Sequence, residues 1–289
     1  MHPLTPPPDW PHRHTSQQIA TRPHLWHVQV MGPAHPCPDL LLIHGAGGAT
    51  HSFRHLMPLL AEHYRCIAVD LPGQGFTRLG ARGRCGLDAM AEDIASLSAQ
   101  QGWQPAVIVG HSAGAAVALR LAELLPVQAV VGINAALGSF DGAAGWLFPM
   151  MAKLLALTPF VPQVFSRLSG TEPRVRSLLA STGSQIEPEG IAQYLTLLRS
   201  PGHVDATLAM MAQWKLDSML ARLPDLQTPC LLITAAKDRA VPPAVSHRAA
   251  ALMPQATVID LPDHGHLVHE EAAETIAGLI LDYLTPPNP

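Results

Sequence analysis

Residues 107–116, Val-Ile-Val-Gly-His-Ser-Ala-Gly-Ala-Ala, leave this chain few ways to fold. A β-branched apolar run passes through two glycines that flank one serine, then enters a series of small residues that reads as a helix. Strand, sharp turn and helix in that order are what a G-x-S-x-G nucleophile elbow needs, with the serine hydroxyl exposed at the carboxyl edge of a sheet. Gly110 and Gly114 leave room for the strained turn and for close approach of helix and strand. A helix start beside the serine also offers backbone N–H groups and a positive dipole end to an oxyanion. Ser112 is therefore the candidate nucleophile. The competing reading is a chance match in a chain with 22 glycines, and the strand and helix on either side argue against it.

The rest of the chain alternates around that unit. His24 to Met31 and Asp39 to Ile43 read as strands, the second ending in His44-Gly45-Ala46-Gly47-Gly48. A glycine-rich loop after a strand exposes amides, so Ala46 N–H, alone or together with Gly47 N–H, is expected as one arm of an oxyanion hole and Ala113 N–H as the other. Each such donor contributes about 3 kcal/mol to transition-state stabilisation. A dinucleotide or phosphate loop fails on pattern, because neither G-x-G-x-x-G nor G-K-[ST] is present. Phe53, Leu56, Met57 and Leu60 mark one helix, delayed by Pro58, and Leu87, Met90, Ile94 and Leu97 mark another. Cys66–Val69, Ala129–Ile133, Leu231–Ala235 and Ala256–Leu261 read as further strands, with a closing helix through Leu284. Strands and helices at this spacing predict an α/β fold with a mostly parallel central sheet flanked by helices.

From Gly138 to about Lys215 the alternation stops, and proline-broken helices carry a dense apolar set. The expected organisation is a flexible N-terminal arm over 1–23, a core over 24–137 and 216–289, and an inserted helical cap over 138–215. Trp146, Phe148, Met151 and Trp214 are the cap residues expected to line a pocket for a bulky apolar small molecule. Lys153, Pro149, Pro159 and Pro162 interrupt the apolar run, so contact with a membrane surface is compatible with it and a transmembrane span is not.

The net charge of −4 gives no attraction to nucleic acid, which is excluded as a partner. The four cysteines lack C-x-x-C spacing and read as free thiols in a reducing, cytoplasmic setting. Met1 to His14 lacks the apolar segment of a signal peptide. Its histidines, with His24 and His27, have no fixed ligand geometry, so neither a metal nor another cofactor is expected.

A serine hydroxyl needs a base, and a neutral imidazole needs a carboxylate to hold its tautomer. In chain order serine, acid, histidine, Asp238 and His266 follow two later strands. His264 and His269 flank His266 and remain alternatives for the base, while Asn134 stands at the other place where such sheets keep an acid.

The set H-G-A-G-G, D-L-P-G-Q-G, G-H-S-A-G, K-D-R-A-V-P and G-H-L-V-H-E-E resembles the α/β-hydrolase superfamily from about His24 onward. More narrowly, G-H-S-A-G-A-A-V-A-L-R-L-A, G-I-N-A-A-L, S-P-G-H-V and M-M-A-Q-W are similar to the magnesium chelatase accessory proteins of bacteriochlorophyll biosynthesis. The resemblance implies an α/β-hydrolase fold, a Ser112, Asp238 and His266 triad, and an oxyanion hole at Ala46 and Ala113. It further implies an ester or related acyl bond as target, a place in tetrapyrrole metabolism, and magnesium chelatase as a partner. A non-catalytic tetrapyrrole carrier and a general carboxylesterase or lipase are the other two readings. Gln74 stands where many relatives have histidine, and Ala235 and Ala236 where many have a glycine before the acid.

Overall fold

The structure is a computed structural model and describes residues 5–138, 162, 163, 166 and 170–285. Among these, eight strands form one sheet in the order β1-β2-β4-β3-β5-β6-β7-β8. They are β1 (Ser16–Ala20), β2 (Leu25–Met31), β3 (Asp39–Ile43), β4 (Arg65–Val69), β5 (Pro105–His111), β6 (Ala129–Ile133), β7 (Cys230–Ala235) and β8 (Ala256–Leu261). Strand β2 is antiparallel to both β1 and β4, and every pairing from β4 through β8 is parallel.

Alternation within the central strands builds two core layers. Leu41, Ile43, Ile108, Val130 and Leu232 point to one face, which α2 (Leu87–Gln101) and α3 (Ala113–Ala122) cover. Leu40, Leu42, Val107, Val109, Val131 and Leu231 point to the other, under α1 (Leu56–Leu60) and the closing helix Ala273–Leu284. Both faces are dry, which is why these strands read as continuous apolar runs. Each side chain so buried stabilises the fold by about 1.5–3 kcal/mol.

The N-terminal arm, expected to be flexible and solvated, is instead folded against the core over its described part. Ser16–Ala20 pairs with β2 as an edge strand, and Trp10 is buried edge-on to Phe76 with ring centroids 4.8 Å apart. Anchoring apolar groups are few but large, and Gln29 Nε2 and His12 tie the intervening backbone at 2.7 Å to Pro11 O and Arg54 O. Its neighbours His24 and His27 are buried partners of Asp93 and Asp70.

Between β6 and β7 the described chain forms α4 (Glu172–Ser181), α5 (Pro188–Leu198) and α6 (Pro201–Gln213). Prolines at the first turns of all three suit positions whose N–H groups have no helical partner. This segment rests on the loops that leave the carboxyl ends of the strands: His203 meets Gly47 and Gly75, Met210 meets Gln74, and Ser184 meets Leu267. Trp146, Phe148 and Met151 lie outside the described residues. No described helix is long and apolar enough to cross a membrane. The remaining described elements are α7 (Asp217–Arg222), α8 (Ala244–Ala250), α9 (Val268–Glu271) and the closing helix, α10.

Candidate active site

Ser112 sits between β5 and α3 with φ 52° and ψ −117°, a left-handed conformation that costs a non-glycine residue of the order of 1–3 kcal/mol. The surroundings enforce it. A Cβ at Gly110 would lie 2.3 Å from Gly114 O, and one at Gly114 would lie 2.2 Å from Ile43 O, so strand, turn and helix close on each other only through glycine. The elbow is pinned by Ser112 N–H to Ile133 O at 2.9 Å and by Ala136 N–H to Ser112 O at 3.1 Å. Ser112 is half-buried, at the edge where β3, β5 and β6 end.

The candidate acid and base arrive from two later strands. Asp238 follows β7, and its Oδ1 accepts the amides of Ala240 and Val241 at 2.7 and 2.8 Å, which turns Oδ2 to His266 Nδ1 at 2.7 Å. With Nδ1 engaged, Nε2 is the ring atom left for a nucleophile. The His266 carbonyl accepts from His111 Nε2 at 2.9 Å and Asn134 Nδ2 at 2.8 Å, residues that flank the elbow and its neighbouring strand. Ser112 Oγ makes no hydrogen bond to His266 among the described residues. Of the three histidines in this loop, His266 is the one that meets a carboxylate. His264 is half-buried, and its carbonyl accepts from Lys237 N–H. His269 is fully buried against His111, at 4.1 Å between ring centroids, and burial holds its imidazole down to about 3.

The glycine loop lies against the elbow. A Cβ on Gly45 would be 3.0 Å from Ser112 Cβ, and a Cβ on Gly48 would be 3.3 Å from Gly45 O, so the loop curls tightly. His44 braces it from below, accepting from Leu71 N–H at Nε2 (2.9 Å) and donating from Nδ1 to Gly45 O (2.7 Å). Burial lowers the His44 imidazole, in keeping with that neutral tautomer. Gly47 N–H donates to Gln74 Oε1 at 2.8 Å, whereas Ala46 and Ala113 donate to no protein acceptor among the described residues.

Several residues whose supporting contacts carry no motif surround the elbow and the glycine loop. Asn134, at φ 45°, takes Ala235 N–H on Oδ1 and gives both Nδ2 protons to the carbonyls of Gly265 and His266, so it fixes the loop that carries His266. His203 accepts from Gly75 N–H and donates to Gly47 O, and Gln74 Nε2 points to Met210 Sδ, which gives S-P-G-H-V and M-M-A-Q-W a physical task around the glycine loop. Trp214 is half-buried against the core cluster that holds Met210 and Leu216, one residue after Gln213, whose carbonyl lies beside Gly86. Asp70, which precedes the elbow in the chain, is wholly buried. Burial alone would raise its carboxyl, but the His27 ring at 2.7 Å, the nearby His44 and the amide of Phe76 hold it down to about 2.

Residues 38–273 match the family described as alpha/beta hydrolase fold. A Magnesium-chelatase 30 kDa subunit of Rhodobacter capsulatus is 46% identical over 284 residues, covering 98% of this chain and 99% of that one. A Pimeloyl-[acyl-carrier protein] methyl ester esterase of Xanthomonas oryzae pv. oryzae is 30% identical over 242 residues, covering 83% and 91%. An alpha/beta hydrolase fold protein from Burkholderia ambifaria superposes with TM-score 0.77 at 19% identity, covering 93% of this chain and 97% of that one, a likeness of fold.

Proposed function

The chain belongs to the alpha/beta hydrolase fold family, and from that premise we propose that it is a serine hydrolase cleaving an ester or related acyl bond of a bulky apolar substrate. The observation that carries this is the 2.7 Å contact of Asp238 with His266, delivered by the loops after β7 and β8 to a serine held in a strained elbow. Ser112 attacks the acyl carbon, and His266 takes its proton through Nε2 and returns it to the leaving alcohol. Asp238 orients the ring and stabilises the imidazolium, and water then releases the acyl group by the same base. The amides of Ala46 and Ala113 face the developing oxyanion. The segment inserted between β6 and β7 is proposed to cover the acyl group, the role expected from the sequence for Trp146, Phe148, Met151 and Trp214.

The names of the two relatives support a narrower reading. One is named for magnesium chelatase and the other for methyl ester cleavage, so this chain acts on a tetrapyrrole, an esterified porphyrin being the expected substrate, in contact with magnesium chelatase. The cytoplasm, with contact at a membrane surface, is the setting that reading requires. A second reading, a carrier that holds the tetrapyrrole for the chelatase without cleaving it, is favoured by the subunit name of the 46% identical relative. Fluorophosphonate labelling of folded protein decides between them. An adduct on Ser112 supports the hydrolase; no adduct, with porphyrin still bound, supports the carrier. Hydrolysis of simple nitrophenyl esters but not of a porphyrin ester would make it a general carboxylesterase.

A further inference from the structure

A four-residue segment between α4 and α5, Thr182-Gly183-Ser184-Gln185, runs between the loop that carries Asp238 and the loop that carries His266. The Thr182 carbonyl accepts two amides, Arg239 N–H at 3.0 Å and His266 N–H at 3.3 Å. One oxygen therefore holds the base itself and the residue that follows the acid. Ser184 is 2% exposed, and its Oγ takes Leu267 N–H at 2.8 Å. Glu271 closes the other side, receiving Gln185 N–H at 2.8 Å and Gly265 N–H at 3.1 Å on its two oxygens.

The packing is backbone against backbone. Gly183 has φ +89°, and a Cβ there would lie 2.0 Å from Lys237 O; a Cβ on Gly265 would lie 2.3 Å from Gly183 C. Three peptides from three parts of the chain are stacked with no side chain between them, which only glycine at 183 and 265 permits. Adhesion of the inserted helices to the core would be served by side-chain contacts anywhere along the interface. Two hydrogen bonds converging on one carbonyl, from the acid and base loops, instead fix the distance between those loops.

We infer that Thr182–Gln185 is a positioning element for the Asp238 and His266 pair, so that part of the insertion belongs to the catalytic apparatus and not only to the substrate pocket. The inference rests on the serine hydrolase reading above. Displacing the segment lets the two loops separate, lengthens the Asp238 to His266 hydrogen bond, and leaves the substrate pocket's contacts in place. The signature is a loss in kcat with KM held.

Three variants of the full chain test it: Gly183→Ala, Ser184→Ala and Ser184→Thr. Each is assayed for the rate of Ser112 labelling by a fluorophosphonate, for kcat and KM on nitrophenyl acetate, and for the downfield proton resonance of the His266 ring N–H bonded to Asp238. Gly183→Ala is expected to lower labelling rate and kcat by about tenfold to a hundredfold, the scale of a misplaced catalytic group, with KM within about twofold and the resonance lost or shifted upfield. Ser184→Ala, which removes one oxygen, gives the same change to a smaller degree and carries the test if Gly183→Ala yields no folded protein. Ser184→Thr restores it by returning the hydroxyl. Normal labelling, kcat and resonance in both Gly183→Ala and Ser184→Ala overturn the inference. Absence of labelling in the unsubstituted protein sinks the hydrolase reading instead, and the resonance then decides the positioning role alone: unchanged in both variants, it too is refuted.

Discussion

Gly47 N–H donates to Gln74 Oε1 over 2.8 Å, which ties the glycine loop after β3 to the turn after β4 and leaves Ala46 as the loop's outward amide. Gln74 is wholly buried, so its replacement by leucine leaves the half-buried Gly47 N–H without its acceptor, at a cost of about 1 kcal/mol. Gln74→Leu is expected to lower the melting temperature and to reduce kcat on nitrophenyl esters about tenfold or more, because the oxyanion amide beside Gly47 loses its fixed direction. Unchanged kcat at reduced stability would detach Gln74 from catalysis.

Asp238→Asn separates geometry from chemistry. Asparagine keeps an oxygen for the amides of Ala240 and Val241, so the fold and melting temperature are expected to stay close to the original. Its amide nitrogen, facing His266 Nδ1, forces the proton onto Nε2 and removes the acceptor that Ser112 needs. Turnover should fall by about three to four orders of magnitude. A fall of less than tenfold in a stopped-flow or steady-state assay would remove Asp238 from the mechanism.

Much of this frame is legible in the sequence, for physical reasons. Ala129–Ile133 and Ala256–Leu261 are strands with the expected bounds, because buried parallel strands are short apolar runs between turns. β1 escaped notice because an edge strand of sequence Ser-Gln-Gln-Ile-Ala buries only Ile19 and leaves no alternation to read. The acid and the base are each announced by a motif, yet the residues that aim them are not. Asn134 works through both ends of one amide, and Thr182 works through a backbone carbonyl, which leaves no side-chain signature. His203 and Gln74 both bond Gly47, from 156 and 27 positions away, at a junction that no local pattern encodes.

Arg54 joins three segments in the buried ground beside the His266 loop. Its guanidinium pairs with Glu270, reaches Glu187 at 2.9 Å and donates to His51 O at 3.2 Å, while Tyr194 of α5 donates to Glu270 at 2.7 Å. Arg54→Met leaves Glu270 buried with one polar partner in place of two, and breaking such a pair costs about 3–5 kcal/mol. The double variant Arg54→Met/Glu270→Leu removes both charges and should recover at least about half of that loss, giving a large coupling energy in a double-mutant cycle from urea unfolding. Additive losses would show that the pair is not coupled.

His269 sets a pH dependence that can be worked out in sign. The ring packs among Phe53, His111 and the charge of Arg54, and among the described residues neither nitrogen has a partner. Its imidazole is held near 3, against an ordinary value of 6.5. The unfolded chain therefore binds a proton below pH 6.5 that the folded chain refuses until about pH 3, so stability is full above 6.5 and falls with acidification through that window. At pH 5 this one group withdraws about 2 kcal/mol. Burial lowers His44, His51 and His111 as well, so they act in the same direction. His269→Leu removes no hydrogen bond and deletes the titration, so its loss of unfolding free energy between pH 7 and pH 5 should be smaller than the original's by about 2 kcal/mol in urea unfolding at the two pH values. Parallel losses in the two proteins would mean that the buried ring takes up its proton without cost.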